Sequence, residues 1–121
     1  DLSLLHDLNS LALTQGSPSP LVIVVLNNDG GAIFNLLPAQ NQGDHFQSLF
    51  QLPHGLDFQH AAAQFHLTYA APTDPEAFAE AYQAACRCPG ATLIELNFPP
   101  DRGSQALSGL IESIRHGTPQ P

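Results

Sequence analysis

The sequence predicts an α/β protein, a three-layer parallel sheet with helices on both faces. Segments with helical spacing alternate with short apolar runs in the order α, β, α, β, α, β, α, and strands that alternate with helices favour a parallel sheet. The run 21–26 is apolar without interruption and rich in β-branched residues, which is typical of a strand covered on both faces. At 121 residues the chain fits within one domain, and we find no domain boundary inside 1–121.

The first half of the chain contains the strongest strand signal. Leucines between Ser3 and Leu13 fall on helical spacing, and Ser3 is placed to cap the first turn. A Gly-Ser-Pro-Ser-Pro stretch separates this helix from the strand over 21–26. After the strand come a turn over 27–31, a short helix or hydrophobic lid over 32–38, and an irregular excursion over 39–56.

The second half has clearer helix boundaries. Asp57 is placed to cap a short helix through Phe65, and 67–70 and 92–96 are predicted as the second and third strands. Between them Asp74, Pro75 and Glu76 provide an N-cap, a proline at the first helical position and a first-turn acid. A last helix is predicted from an apolar stripe at Leu107, Leu110, Ile111 and Ile114.

The charge balance restricts the partners. Eleven acidic residues against three arginines and no lysine give a formal net charge of -8, which disfavours binding to nucleic acid or anionic lipid. Any anionic ligand must then be held by a metal, by helix N-termini or by basic residues of another chain or domain. Cys86 and Cys88 have the spacing of neither a disulfide framework nor a four-ligand zinc site. We therefore expect free thiols and, since no apolar segment is long enough to span a bilayer, a cytoplasmic protein.

Two polar clusters are candidates for a cation site. Asp1 stands at the head of the first predicted helix, and Asn28 and Gly30 follow the strand over 21–26. Ligands of open parallel sheets bind outside the carboxyl ends of the strands, and carboxylate, amide and backbone oxygens are the ligands that Mg²⁺ prefers. Taken alone, Asn-Asn-Asp-Gly-Gly is more often a simple turn. The pairing with Asp1 favours a site for a cation that holds a phosphate.

These clusters carry a family resemblance. Asp-x-Ser, a helix, a buried strand and then Asn-Asn resemble the thiamine-diphosphate binding motif. More specifically, DLSLLHDLN at 1–9 and VLNNDGGAIFNLLP at 25–38 are similar to the C-terminal region of the 2-succinyl-5-enolpyruvyl-6-hydroxy-3-cyclohexene-1-carboxylate synthase family of the menaquinone pathway. The segment HAAAQF at 60–65 resembles the helix that follows in that family. Leu2 stands where many thiamine-diphosphate enzymes have glycine, although leucine suits this family.

The resemblance implies a role for each matching residue. The chain would be the C-terminal part of a thiamine-diphosphate-binding domain, truncated before Asp1. Mg²⁺ or Mn²⁺ would be bound by Asp1, Asn28 and the Gly30 carbonyl, and the diphosphate by Ser3 and neighbouring amides. The cofactor-binding residues implied are Ser3, Gly30, Gly31, Ile33, Phe34 and Leu37. Without the resemblance, Ile33, Phe34 and Leu37 fit core packing equally well.

The implied reaction is a transfer (EC 2.2.1.9 class): decarboxylation of 2-oxoglutarate and addition of the succinyl unit to isochorismate. The glutamate that activates the cofactor comes from another domain, usually of a second subunit, so no catalytic residue is expected in this chain. The partners implied are the remaining domains, a second subunit and the two small-molecule substrates. We expect the isolated chain to be inactive and, since truncation exposes apolar surface, to self-associate. The alternative function is a non-catalytic α/β module that binds protein partners or another phosphate ligand.

Overall fold

The structure is a computed structural model that describes residues 1–37 and 44–117. The chain divides into two compact units. The first comprises Asp1–Asn27 and Gly55–Asn97, and the second comprises Asn28–His54 and Phe98–Pro121. In chain order the helices are α1 (Leu2–His6), a 3-10 helix (Leu8–Thr14), a second 3-10 helix (Ala32–Leu36), α2 (Asp44–Phe46) with a π-helical turn (Gln47–Gln51), α3 (Gln59–Gln64), α4 (Pro75–Ala85) and α5 (Arg102–Arg115).

The first unit contains the parallel sheet that the sequence predicts. Its strands are β1 (Pro20–Asn27), β2 (Thr68–Ala70) and β3 (Gly90–Asn97), in the spatial order β1-β3-β2. Both pairings are parallel, with Asn27 opposite Asn97 and Ala70 opposite Ile94. The three predicted strands are therefore confirmed, and β3 lies in the centre of the sheet.

Helices cover both faces of this sheet. On one face, Val25 of β1 and Leu93 of β3 belong to the buried hydrophobic cluster. The other members come from the first 3-10 helix (Leu11), from α3 and its N-cap (Ala62 and Phe58) and from the residue before β2 (Leu67). Side chains alternate along a strand, so Thr92 and Ile94, both buried, point to the other face, and α4 contacts β1 and β3. The predicted three-layer arrangement is confirmed.

Helix α4 begins where the sequence predicts. Asp74 Oδ1 accepts a hydrogen bond from the Ala77 backbone N at 2.8 Å, and Pro75 occupies the first turn. Proline suits that position because its missing N–H has no intrahelical partner there.

Two expectations for the first unit are wrong. Ser3 does not cap α1: Asp1 is the N-cap, its Oδ1 accepting from the Leu2 backbone N, and Ser3 lies exposed inside the helix. The strand at 21–26 is not covered on both faces either, because Val24 and Leu26 are 39% and 58% exposed. The apolar run is an edge strand of the described sheet, paired only with β3.

The second unit is built from short helical pieces and α5. Of the two alternatives predicted over 32–38, a short helix or a hydrophobic lid, the structure shows a 3-10 helix over Ala32–Leu36. The excursion predicted over 39–56 is wrong over Asp44–Gln51, which is helical, while 38–43 lie outside the described residues. Phe50 joins the pieces: its ring stacks on Phe46 at 5.7 Å and meets Phe34 edge-on at 6.0 Å.

The last predicted helix is confirmed as α5. Its apolar stripe is not buried within the described chain, since the four side chains are 41% to 71% exposed. The exposed stripe consists of Leu107, Leu110, Ile111 and Ile114.

Candidate functional site

A buried carboxylate occupies the carboxyl end of the sheet in the first unit. Glu95 of β3 is 0% exposed. Its Oε1 accepts from Asn27 Nδ2 at 2.6 Å, and its Oε2 accepts from the Phe58 backbone N at 2.9 Å and from the Tyr69 hydroxyl at 2.7 Å. Asn27 Nδ2 also donates to the Leu56 carbonyl at 2.9 Å. Glu95 therefore ties together the end of β1, the start of α3 and strand β2.

The hydrogen bonds explain how a carboxylate is tolerated there. Burial of an unpaired ionised carboxylate costs several kcal/mol. A hydrogen bond to a charged group contributes about 1.5–3 kcal/mol, so the three donors to Glu95 are together of the same order as that cost. The sequence has no lysine and only three arginines, and the donors are an amide, a backbone N–H and a phenol rather than a cation.

The charge of Glu95 affects its neighbours. Burial, together with the hydrogen bond to Glu95 and the negative charges of Glu95 and Asp57, raises the pKa of the Tyr69 hydroxyl well above its usual range. The Tyr69 hydroxyl therefore lies within the electrostatic reach of this carboxylate.

Asp1 lies beside the end of β1. Its backbone nitrogen donates to the Leu26 carbonyl at 3.1 Å, and its side chain caps α1. Ser3 lies in the first turn of α1, a helix of only five residues, so the dipole that it offers an anion is weaker than that of a long helix. The structure thus places Asp1, Ser3, Asn27 and Glu95 in the first unit.

The other predicted site residues belong to the second unit, which begins at Asn28. Asp29 has φ 60° and Gly30 has φ 117°. The Asp29 carboxylate accepts from the His54 backbone N at 3.0 Å and lies 3.7 Å from His54 Nδ1. Asp29 and His54 therefore hold the turn in a conformation that residues with side chains rarely adopt.

Close backbone packing requires both glycines of the turn. A Cβ atom on Gly30 would collide with the Gln51 carbonyl, and one on Gly31 would lie 2.5 Å from the Phe50 carbonyl. The Gly31 nitrogen donates to the Gln51 carbonyl at 2.6 Å. The structure gives both glycines a role in packing against residues 50–52, and the cofactor-binding role implied by the resemblance stays a prediction.

The Gly30 carbonyl accepts a hydrogen bond from the Ala32 nitrogen at 2.9 Å. By residue type, Asp1 carries a carboxylate, Asn28 an amide oxygen and Gly30 a backbone carbonyl, and Mg²⁺ and Mn²⁺ prefer oxygen donors of these kinds. The chemistry of these residues fits a divalent ion, and their roles as metal ligands stay a prediction.

The predicted apolar wall is exposed in the described chain. Ile33 is 70%, Leu37 45% and Phe34 37% exposed. Phe34 nevertheless packs against Phe50, so within the described residues core packing fails to account for Ile33 and Leu37 only. Exposed apolar side chains next to a polar turn suit the lining of a pocket completed by other parts of a protein.

Sequence reasoning missed Glu95 and Asn27. One signal was present: an acid directly after two apolar residues, inside the parallel strand predicted over 92–96. Because such strands are buried on both faces, the acid in that strand needs buried hydrogen-bond donors.

Cys86 and Cys88 are exposed free thiols. Within residues 1–37 and 44–117, His, Cys, Asp and Glu side chains form no group of three that could hold a metal; such a grouping does not include amide or backbone oxygens. No helix in the described ranges has the length and apolar character to cross a membrane, and the cytoplasmic location stays a prediction.

Comparison with known proteins identifies relatives over nearly the whole chain. No model of a protein family matches the sequence. Curated proteins named 2-succinyl-5-enolpyruvyl-6-hydroxy-3-cyclohexene-1-carboxylate synthase are similar to it. The protein from Halorhodospira halophila is 49% identical over 115 residues, covering 94% of this chain and 21% of the relative. Those from Shewanella amazonensis and Aeromonas salmonicida are 52% and 48% identical, each covering 95% of this chain and 20% or 21% of the relative.

The chain thus spans about one fifth of the length of the curated relatives it matches. About half of its residues are identical to theirs, without restriction to a short motif. The chain belongs to the family of 2-succinyl-5-enolpyruvyl-6-hydroxy-3-cyclohexene-1-carboxylate synthases.

Proposed function

We propose that the chain is a C-terminal, cofactor-binding segment of a thiamine-diphosphate-dependent synthase of menaquinone biosynthesis. The full-length protein would decarboxylate 2-oxoglutarate and add the succinyl unit to isochorismate. The observation that carries the proposal is the 48–52% identity, over at least 94% of the chain, to proteins named as synthases of the corresponding product.

Oxygen donors of the chain would hold the cofactor through a divalent ion. The ligands are the Asp1 carboxylate, the Asn28 side-chain carbonyl and the Gly30 backbone carbonyl. Ser3 and the neighbouring amides contact the diphosphate, and Gly30 and Gly31 are further cofactor-binding residues. Ile33, Phe34 and Leu37 form an apolar wall of the pocket, for which their exposure leaves them available.

The reactive chemistry lies outside this chain. Thiamine diphosphate supplies the stabilisation of a carbanion. Both substrates are polyanions, whereas the chain has 11 acidic residues against three arginines. We therefore assign the substrate-binding cations and the cofactor-activating glutamate to the remaining domains and to a second subunit. The isolated chain should show no synthase turnover, and measurable turnover by the pure chain would contradict this assignment.

Calorimetry on the full-length protein tests the proposal. Thiamine diphosphate should bind in the presence of Mg²⁺ and lose its affinity in EDTA. Asn28→Ala should weaken Mg²⁺-dependent binding at least tenfold, since a ligand of the ion is lost. Asn35→Ala is the matched control, because it removes the same amide from the same unit, where Asn35 donates to the Pro100 carbonyl.

The outcomes separate the two candidate functions. Equal binding by wild type and Asn28→Ala would remove Asn28 from the site. Absence of binding by the wild-type protein would overturn the proposal and favour the non-catalytic module, which binds protein partners or another phosphate ligand.

A further inference from the structure

Glu95 is a buried titratable group that the proposed function does not use. It lies on β3 with no exposed surface, and it accepts hydrogen bonds from three separate segments. A buried leucine or methionine in that place would avoid the desolvation of a carboxylate. A fully satisfied buried polar network, in contrast, rigidifies the groups that it joins. The hydrogen bonds of Glu95 therefore rigidify the three segments that donate to it.

Asn27 connects Glu95 to the predicted metal ligands. Asn27 is the last residue of β1 and is 5% exposed, and its Nδ2 is held by Glu95 Oε1 and the Leu56 carbonyl. Asn28 is the next residue in the chain, and the carbonyl of Leu26 accepts from the Asp1 nitrogen. The backbone at the end of β1 thus leads directly into Asn28 and contacts Asp1.

We propose that Glu95 is a positioning residue for the divalent-ion site: by fixing the amide of Asn27, it sets the backbone from which Asn28 extends. The inference rests on the proposed function, because Asn28 is a ligand only under that proposal. Glu95 does not touch the ion or the cofactor in this account. It acts through Asn27, whereas its bonds to Phe58 and Tyr69 hold α3 and β2.

The direction of the hydrogen bonds allows these two roles to be separated. In Glu95→Gln the side-chain oxygen can still accept from the Phe58 N–H, which cannot reverse its polarity, and from Tyr69. The new NH₂ group then faces Asn27 Nδ2, so two donors meet. If the Asn27 amide flips to accept from it, its oxygen faces the Leu56 carbonyl, and two acceptors meet. Glu95→Gln therefore disturbs Asn27 selectively.

Tyr69→Phe is the matched control. It removes one donor from Glu95 Oε2 and leaves the bonds of Oε1 to Asn27 and of Oε2 to Phe58 in place. A role of Glu95 limited to stability predicts similar consequences for both variants. A positioning role predicts a defect in ion binding for Glu95→Gln alone.

The experiment titrates Mg²⁺ into the full-length protein with saturating thiamine diphosphate. Glu95→Gln should raise the Kd for Mg²⁺ at least tenfold, and Tyr69→Phe should change it less than twofold. Saturating Mg²⁺ should restore the bound fraction in Glu95→Gln. In the metal-free protein, hydrogen exchange of the amides over 28–31 should accelerate in Glu95→Gln and not in Tyr69→Phe.

The second variant, Asn27→Ala, removes the link itself while Glu95 keeps its other donors. Asn27→Ala should also raise the Kd for Mg²⁺ at least tenfold. If Glu95→Gln does not fold, this variant tests the positioning role instead. The inference would be overturned if Glu95→Gln or Asn27→Ala had a Kd for Mg²⁺ within twofold of wild type. It would also be overturned if Tyr69→Phe raised that Kd as much as Glu95→Gln. In each of these cases, cofactor binding by the wild type would still uphold the proposed function. No Mg²⁺-dependent binding by the wild type would overturn both.

Discussion

Strands β1 and β3 pair along eight residues, yet the extent to which each is buried is the opposite of what its composition predicts. Residues 21–26 of β1 are all apolar, but Leu21, Val24 and Leu26 are 39% to 58% exposed. Strand β3 contains Glu95, and its residues from Thr92 to Glu95 are all buried. The more apolar strand is therefore the more exposed of the two.

Strand β1 is therefore more hydrophobic than its exposure within the described residues favours. A solvent-exposed edge strand usually carries polar or charged side chains that prevent pairing with other chains. Strand β1 has none before Asn27, which suits a strand covered by further parts of a larger protein. Strand β3, in contrast, pairs with both β1 and β2, and Asn27, Phe58 and Tyr69, which donate to Glu95, all belong to the first unit.

The largest effect is expected on the free energy of unfolding, when a leucine is replaced by alanine on β3 and, for comparison, on β1. Leu93→Ala should lower the free energy of unfolding by about 2–5 kcal/mol, because Leu93 is 0% exposed and its loss leaves a cavity. Leu26→Ala should cost about 1 kcal/mol or less in the isolated chain, since Leu26 is 58% exposed. Urea unfolding of the two variants measures both values.

The same two variants, Leu93→Ala and Leu26→Ala, can be compared in the full-length protein. If other parts of the protein cover β1, the cost of Leu26→Ala should rise there towards that of Leu93→Ala. Local free energies from hydrogen exchange of the β1 amides measure the cost. A small cost in both proteins would show that β1 is a solvent-exposed strand throughout.

Self-association of the isolated chain is the next effect. Leu26→Glu places a charge on the exposed face of β1 and should weaken self-association about tenfold, or roughly 1.4 kcal/mol. Gln83→Glu, at an exposed position of α4, adds the same charge away from the strand and is the control. Sedimentation over a range of concentrations checks both. A wild-type chain that stays monomeric at high concentration would contradict the expectation.

The smallest effect concerns pH and the hydrogen bond between Tyr69 and Glu95. The pKa of Tyr69 is raised in the folded chain above an unfolded value of about 10. Its contribution to stability is therefore complete below about pH 10 and is lost as the pH rises towards the folded pKa. Tyr69→Phe should be less stable than wild type at pH 8, and the gap should narrow on going to pH 11. A gap that stays constant in urea unfolding across this range would contradict the role of the hydroxyl.

Much of the fold follows from local patterns in the sequence. The order of strands and helices depends on periodicity, and the start of α4 depends on Asp74 and Pro75, which lie within three residues of the amide that is capped. Such signals need no knowledge of distant partners.

The features that escaped prediction depend on distant residues. Glu95 binds donors that lie 26, 37 and 68 positions away, and its burial follows from the central place of β3 in the order β1-β3-β2. An apolar run also does not show which strand lies at the edge. The resemblance implied cofactor-binding roles for Gly30 and Gly31. Their packing against residues 50–52 was not predicted, because it depends on the folded second unit.

The position of the divalent ion tests the account most directly. Crystals of the full-length protein grown with thiamine diphosphate and Mn²⁺ would locate the ion by its anomalous scattering. We predict one Mn²⁺ per site, bound by the Asp1 carboxylate, the Asn28 side-chain carbonyl and the Gly30 backbone carbonyl, with Asn27 still bonded to Glu95. An ion bound to the cofactor by other residues, with none of these three oxygens in its coordination sphere, would contradict the account.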